Sequence, residues 1–187
     1  LRSINTGNVI FLRIGERRAG KKGKMNNISI SNVYAEVPAT KPDAGYNYEG
    51  PVEDMPRNIS PSSIVGMPDA IIENVTLKNI EIHYPGGGNP AFAKTGLNEL
   101  EKVPEMSASY PEFSMFKELP AWGFYIRHAK GITFENVTLI CEKKDYRTAV
   151  VLDDVSGAKF NTLKVNEQGG KKDPLFSYKS TDVVMIK

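Results

Sequence analysis

The stretch ENVTLKNIEIH at residues 73–83 returns as KGITFENVTLI at residues 130–140. A repeated phrase restricts the fold before any local propensity does, because units that cannot bury an apolar side alone must stack on one another. Asn27-Ile28-Ser29-Ile30-Ser31-Asn32-Val33 aligns with Asn74-Val75-Thr76-Leu77-Lys78-Asn79-Ile80 and with Gly131-Ile132-Thr133-Phe134-Glu135-Asn136-Val137. Gly157 opens a weaker copy that keeps the apolar positions Phe160 and Leu163, and Asp182 opens another. From Gly131 to Gly157 is 26 residues and from Gly157 to Asp182 is 25, whereas the steps from Asn27 to Asn74 and from Asn74 to Gly131 are 47 and 57.

Within each copy the apolar residues alternate and then slip by one: Val75 and Leu77, then Ile80 and Ile82; Ile132 and Phe134, then Val137 and Leu139. Alternation predicts a strand with one buried face, and the slip predicts a corner. Asn32, Asn79 or Asn136 sits at each slip, and asparagine is among the few non-glycine residues that tolerate the left-handed backbone of a sharp bend. Equivalent asparagines on stacked turns can also form a hydrogen-bonded ladder. The expectation is an all-β chain, a parallel β-helix with coils roughly 4.8 Å apart, in preference to a β-sandwich. A leucine-rich horseshoe needs a Leu-x-x-Leu-x-Leu frame that is absent. Ile28, Ile30, Val33, Val75, Leu77, Ile80, Ile132, Phe134, Val137, Phe160, Leu163 and Val165 are expected to point inward.

With 187 residues, 40% hydrophobic and 25% charged, the chain suits one globular domain over residues 1–187. Nothing in it reads as a transmembrane span or a targeting segment, so no membrane partner is expected. A net charge of +2 does not favour nucleic acid as a partner. Cys141 is the single cysteine, so no internal disulfide forms, and its place at a strand end favours a buried inert thiol over a nucleophile. A chain that starts at Leu1, already close to the strand-like Val9-Ile10-Phe11-Leu12, is expected to be a processed or cut one. Two Pro-, Gly- and Tyr-bearing insertions, at about 38–61 and 84–121, explain the long steps between copies. Their aromatics favour ordered, functional loops, with a short helix over residues 94–103.

The phrases EIHYPGGG, VPEMSASYPEFSMFKELPAWGFYIRHAKGITFENVTL and FLRIGERRAGKKGKMNNISISNV together resemble the polygalacturonase-like glycoside hydrolases of family 28, particularly bacterial members from carbohydrate-degrading gut organisms. The resemblance spans nearly the whole chain and is most specific from YPE to RH. It implies a right-handed parallel β-helix of the pectin-lyase-like kind, a periplasmic or extracellular location, and inverting hydrolysis of pectic polysaccharide without a cofactor. Inversion needs two carboxyl groups about 6.5 to 9.5 Å apart to admit a water. The family's Asn-Thr-Asp, Asp-Asp and Gly-His-Gly motifs precede an Arg-Ile-Lys motif. Here Arg13-Ile14-Gly15 stands where Arg-Ile-Lys is expected, Asp153-Asp154 is the only Asp-Asp pair and lies far downstream, and Gly-His-Gly is absent. On this resemblance the chain is the C-terminal portion of a hydrolase, without the catalytic aspartates and inactive alone.

Arg13 carries over as a contact for a substrate carboxylate, which a planar guanidinium grips bidentately; a structural arginine at a coil edge is the competing reading. The neighbouring run from Glu16 to Lys24 gathers five positive charges in nine residues, either an attraction for anionic polysaccharide or, more commonly, a solvated loop. Tyr46 and Tyr48, with Tyr34 a weaker match, fit the family's tyrosine near the cleavage point, where a ring stacks on a sugar. Glu105 and Glu112, with Tyr110 between them, cap the long insertion and present themselves as a carboxylate pair or as solvated loop residues. Arg127 and His128 follow Tyr125 and Ile126 on one strand, so alternation lets at most one of the pair point outward, and structural hydrogen bonding is favoured over substrate contact. With His83 as the only other histidine, no zinc site or other metal centre is expected. Trp122 reads as a packing residue or a sugar platform, and the Asn-x-Ser/Thr triplets read as by-products of the repeat. Three functions compete: a polysaccharide hydrolase portion, a module that holds an acidic, uronate-containing glycan, and a structural β-helix. Self-association through the N-terminal coil is expected from its uncovered edge.

Overall fold

The structure, a computed structural model, describes residues 1–40, 59–169 and 173–186. Its described residues form an all-β fold of nine strands: β1 (Arg2–Ile4), β2 (Phe11–Arg13), β3 (Met25–Glu36), β4 (Ser62–Val65), β5 (Ile72–Tyr84), β6 (Ala121–Cys141), β7 (Thr148–Glu167), β8 (Leu175–Tyr178) and β9 (Thr181–Ile186). All the strand pairs are parallel, in the order β1-β3-β5-β6-β4-β2, with β7 joined to β6, β8 and β9. Parallel neighbours cannot be joined by tight hairpins. The chain instead travels about 25 residues before it returns beside itself, which is the step from Gly131 to Gly157.

The long ribbons are not straight. They bend at residues with φ between +47° and +72°, and those residues stack in three columns: Asn27, Asn74, Gly131, Gly157 and Asp182; Asn32, Asn79, Asn136 and Thr162; and His128, Asp154 and Lys179. The middle column is the corner that the hydrophobic slip foretells. Its asparagines form the expected ladder, Asn79 Nδ2 donating to Asn32 Oδ1 over 3.1 Å and Asn136 Nδ2 to Asn79 Oδ1 over 3.0 Å.

Between corners, in-register apolar residues build the core as files. Ile30, Leu77, Phe134, Phe160 and Met185 form one; Leu77, Phe134 and Phe160 are wholly buried, Ile30 is partly buried and Met185 is 50% exposed at the end of the stack. The whole set expected to point inward lies in this core, with Ile28, Ile30, Leu163 and Val165 at its partly buried margins. At the opposite end Leu1 and Ile4 are exposed.

The insertion at 84–121 forms a second, outer layer. It contains short 3₁₀ turns at Pro90–Phe92 and Leu97–Lys102, the second falling where the short helix is expected. Leu100, Val103, Phe116 and Leu119 pack on Val65, Tyr125 and Val151, residues of β4, β6 and β7 that point away from the main core. Alternation along β6 thus sends Phe124 and Ile126 to one core and Tyr125 to the other. Residues 41–58 of the earlier insertion, including Tyr46 and Tyr48, lie outside the described residues. Among the described residues no helix is long and apolar enough to cross a membrane.

Candidate functional site

Register brings the charged residues together. Arg13 of β2 pairs with Val65 of β4, Val65 with Arg127 of β6, Arg127 with Asp153 of β7, and Asp153 with Tyr178 of β8, so one position of successive ribbons carries them all. Glu105 comes down onto this column from the insertion. Arg127 holds it with Nη2 2.8 Å from Glu105 Oε1, while Nη1 donates to Val103 O over 2.6 Å and Nε lies 3.1 Å from Asp153 Oδ2. The Tyr125 hydroxyl donates to Asp153 Oδ2 over 2.8 Å.

His128 corrects the expectation from alternation. Both it and Arg127 are 6% exposed, and both reach Glu105. The cause is the corner: with φ at +48°, His128 leaves the strand geometry that would have sent it to the opposite face. Its Nε2 lies 3.0 Å from Glu105 Oε1 and its Nδ1 2.6 Å from Asp154 Oδ2. Burial pulls the imidazole toward the neutral form, but the hydrogen bonds to Glu105 and Asp154 outweigh it and raise the pKa above the usual histidine value. Burial pushes the Glu105 carboxyl up; the His128 and Arg127 contacts overcome that and hold it below the usual range. Asp153 goes the other way, because its burial is only partly offset by the Tyr125 hydroxyl and Arg127. A carboxyl held low, as Glu105 is, makes a poor proton donor.

Beside this cluster lies a hollow of about 320 Å³, lined by Arg13, Arg17, Arg18 and Lys21 on one side and by Ser109 and Pro111 of the insertion on the other. Gly20, at φ +73°, forms the turn that folds Lys21 back onto Arg18. Among the described residues no carboxylate pairs with Arg17, Arg18 or Lys21, whereas Lys22 is engaged by Glu16 and Asp69. Tyr110, 70% exposed, presents its ring with the Arg17 guanidinium 5.2 Å from the centroid. At Gly15 a Cβ would stand 3.1 Å from Ser107 O, and Glu16 N–H donates to that same carbonyl over 2.7 Å.

Arg13 lines the hollow but its guanidinium is largely used by the fold. Nη1 donates to Gly66 O over 2.8 Å, Nη2 donates to Glu105 O, and the group lies over the Phe116 ring. Glu112 accepts from Ser114 Oγ and does not join Glu105 at the cluster. His83 pairs with Glu81 and stacks near Tyr34 on the sheet surface. Trp122 is buried edge-on to Tyr84, a packing residue. Burial pushes the Cys141 thiol up to about 12, and its Sγ lies 3.1 Å from Lys143 O, which leaves it inert.

A second polar cluster has no counterpart among the residues singled out from the sequence. Arg147 grips Asp145 bidentately, Nε to Oδ1 at 3.0 Å and Nη2 to Oδ2 at 3.1 Å, and donates from Nη1 to Ile59 O over 2.6 Å. Asp145 also accepts from Gly88 N–H over 3.0 Å, and Tyr146 donates to the buried Glu118, so this cluster fastens both ends of the insertion. Burial raises the Glu118 carboxyl's pKa.

No family model matches the chain, and no curated protein matches it. Among solved structures it is similar to a crystal structure from Parabacteroides merdae described as a "putative glycosyl hydrolase", at 13% identity and a TM-score of 0.30, with 98% of this chain and 80% of that one covered. A likeness of that degree leaves the site to be read from its own geometry.

Proposed function

We propose that this chain is the glycan-holding, C-terminal portion of a pectin-type glycoside hydrolase: a single right-handed parallel β-helix domain, placed in the periplasm or outside the cell, that binds a uronate-containing polysaccharide. The observation that carries this reading is the basic hollow, where Arg17, Arg18 and Lys21 have no carboxylate partner among the described residues and stand beside the exposed Tyr110 ring. A uronate offers what that surface lacks, a carboxylate for the guanidiniums and a sugar face for the ring. The in-register parallel ribbons and stacked corners support the β-helix. Glu105 and Asp153 are tied to Arg127, which supports a holding role for this site; in this reading acid and base work belongs to other residues and the chain alone is inactive. Leu1 and Ile4 of the first coil are exposed, which supports self-association through the N-terminal coil.

The test is calorimetric titration with oligogalacturonate and with a neutral oligosaccharide of equal length. The acidic ligand binds with an affinity that falls as salt rises, and replacing Arg17 and Arg18 together by Ala weakens it at least tenfold, given about 1.5 to 3 kcal/mol for a charge-assisted hydrogen bond. Equal affinity for both ligands, or none for either, would return the chain to the structural reading. Release of reducing ends from polygalacturonate by the chain would overturn the assignment of the chemistry to other residues.

A further inference from the structure

Both ring nitrogens of His128 face carboxylate oxygens, Nε2 at 3.0 Å from Glu105 and Nδ1 at 2.6 Å from Asp154. A neutral imidazole donates from only one nitrogen and would turn the other's lone pair toward a carboxylate; only the imidazolium donates to both. The charges around it point the same way. Glu105 approaches from the insertion, Asp153 and Asp154 from β7, Arg127 from its own strand and Arg13 from β2. Three carboxylates and two guanidiniums are balanced only when the imidazole carries the third positive charge. We propose that His128 is a proton-dependent latch, a positioning residue that holds the insertion segment 103–111 against the ribbon stack and thereby sets the far wall of the basic hollow.

Apart from the latch, the segment is anchored by Val103 in the outer apolar layer and by three of its backbone carbonyls. Val103 O accepts from Arg127, Glu105 O accepts from Arg13, and Ser107 O accepts from Glu16 N–H, while Glu105 Oε1 is the side-chain atom that His128 and Arg127 share. Five residues past Glu105, Tyr110 and its flanking Ser109 and Pro111 form the hollow's wall. Loss of the proton removes one charge-assisted bond and replaces it with a repulsive contact, so the wall loosens. The raised histidine pKa gives the sign: the imidazolium contacts are complete below the unperturbed value of 6.5 and are lost as pH rises through the folded one. As a latch the proposal stands on the contacts alone; its consequence for a uronate ligand rests on the binding reading above.

The experiment is hydrogen exchange of the amides of residue 103 and residues 105–110 in the full chain from pH 5 to 9, corrected for intrinsic rates, beside the imidazole chemical shifts of the two histidines. Protection of this segment is expected to fall about tenfold, the order set by one charge-assisted hydrogen bond, across the same interval in which His128 titrates, while the core of β6 stays protected. In His128→Gln, whose amide nitrogen can serve only one carboxylate, protection is low and flat with pH. Asp154→Asn, which leaves the corner residue in place, lowers the histidine's titration midpoint and shifts the exchange transition with it. A pH-independent wild type, or a transition that survives unchanged in both variants, would overturn the latch. Oligogalacturonate affinity followed over the same range separates the two readings: exchange that follows the histidine without any glycan binding keeps the latch and removes the glycan.

Discussion

Asn136 donates from Nδ2 to Asn79 Oδ1 over 3.0 Å, although 57 residues separate the two in the chain. Asn79 is thus both a corner, at φ +52°, and the middle rung of a ladder, since it donates in turn to Asn32. The two roles can be separated by mutation.

Asn79→Ala loses both rungs and forces a Cβ-bearing residue without a local hydrogen bond into the left-handed region, which costs about 1 to 2 kcal/mol for the backbone alone. Adding about 0.5 to 1.5 kcal/mol for each hydrogen bond, reduced by exposure, gives a loss of roughly 2 to 3 kcal/mol in urea unfolding. Asn79→Gly keeps the backbone unstrained and loses only the rungs, so it costs about half as much. Equal losses in the two variants would mean that the ladder, not the bend, is what the asparagine supplies.

Phe134 is wholly buried between two other rings, with centroids 5.1 Å from Phe124 and 4.9 Å from Phe160. Because its neighbours belong to stacked ribbons that cannot collapse sideways without breaking their ladders, Phe134→Ala leaves a cavity and costs about 3 to 5 kcal/mol. The check is equilibrium unfolding with the m-value monitored; a loss under 1 kcal/mol would contradict the packing of this file.

The repeat made the stack legible: the alternation, the slip and the asparagine at the slip each have one physical cause, and the structure contains all three in register. The site was legible only in its parts. Arg13, Glu105, Arg127 and His128 stand out as residue types, but what joins them is register between ribbons 52 to 114 residues apart and the landing point of the insertion. No local pattern encodes either. His128 shows the limit most plainly, since a corner at a histidine has no compositional mark, and alternation read through it assigns the wrong face. Asp153 and Asp154 were visible as a pair, yet the corner at Asp154, φ +57°, divides them between Arg127 and His128. The Arg147 cluster was invisible because Glu118, Asp145 and Arg147 sit in stretches with no periodicity to mark them as buried.

That cluster carries the last prediction. Arg147 and the carboxylates of Asp145 and Glu118 have side chains 4%, 0% and 2% exposed, and the guanidinium is the only cation within reach of either acid among the described residues. Removing one partner of a buried set strands the others, at about 3 to 5 kcal/mol. Arg147→Met should therefore destabilise strongly near neutral pH and free the insertion for proteolysis between residues 88 and 118 ahead of global unfolding. The pH dependence distinguishes charge from packing. In the native chain burial pushes the Asp145 carboxyl up, but Arg147 more than compensates and its pKa is lowered, so its contribution is present above the unperturbed 3.8 and lost as pH falls through the folded value. Without the guanidinium, burial is opposed only by the Gly88 and residue-147 N–H groups on Asp145 and the Tyr146 hydroxyl on Glu118, so both acids become easier to protonate in the folded variant than in the native chain, and acidification favours the variant relative to wild type. The difference in unfolding free energy between Arg147→Met and wild type should shrink steadily on acidification toward pH 4. A difference that is constant between pH 4 and pH 8 would show that Arg147 serves by filling space, and that the two buried carboxylates are neutral in the native chain.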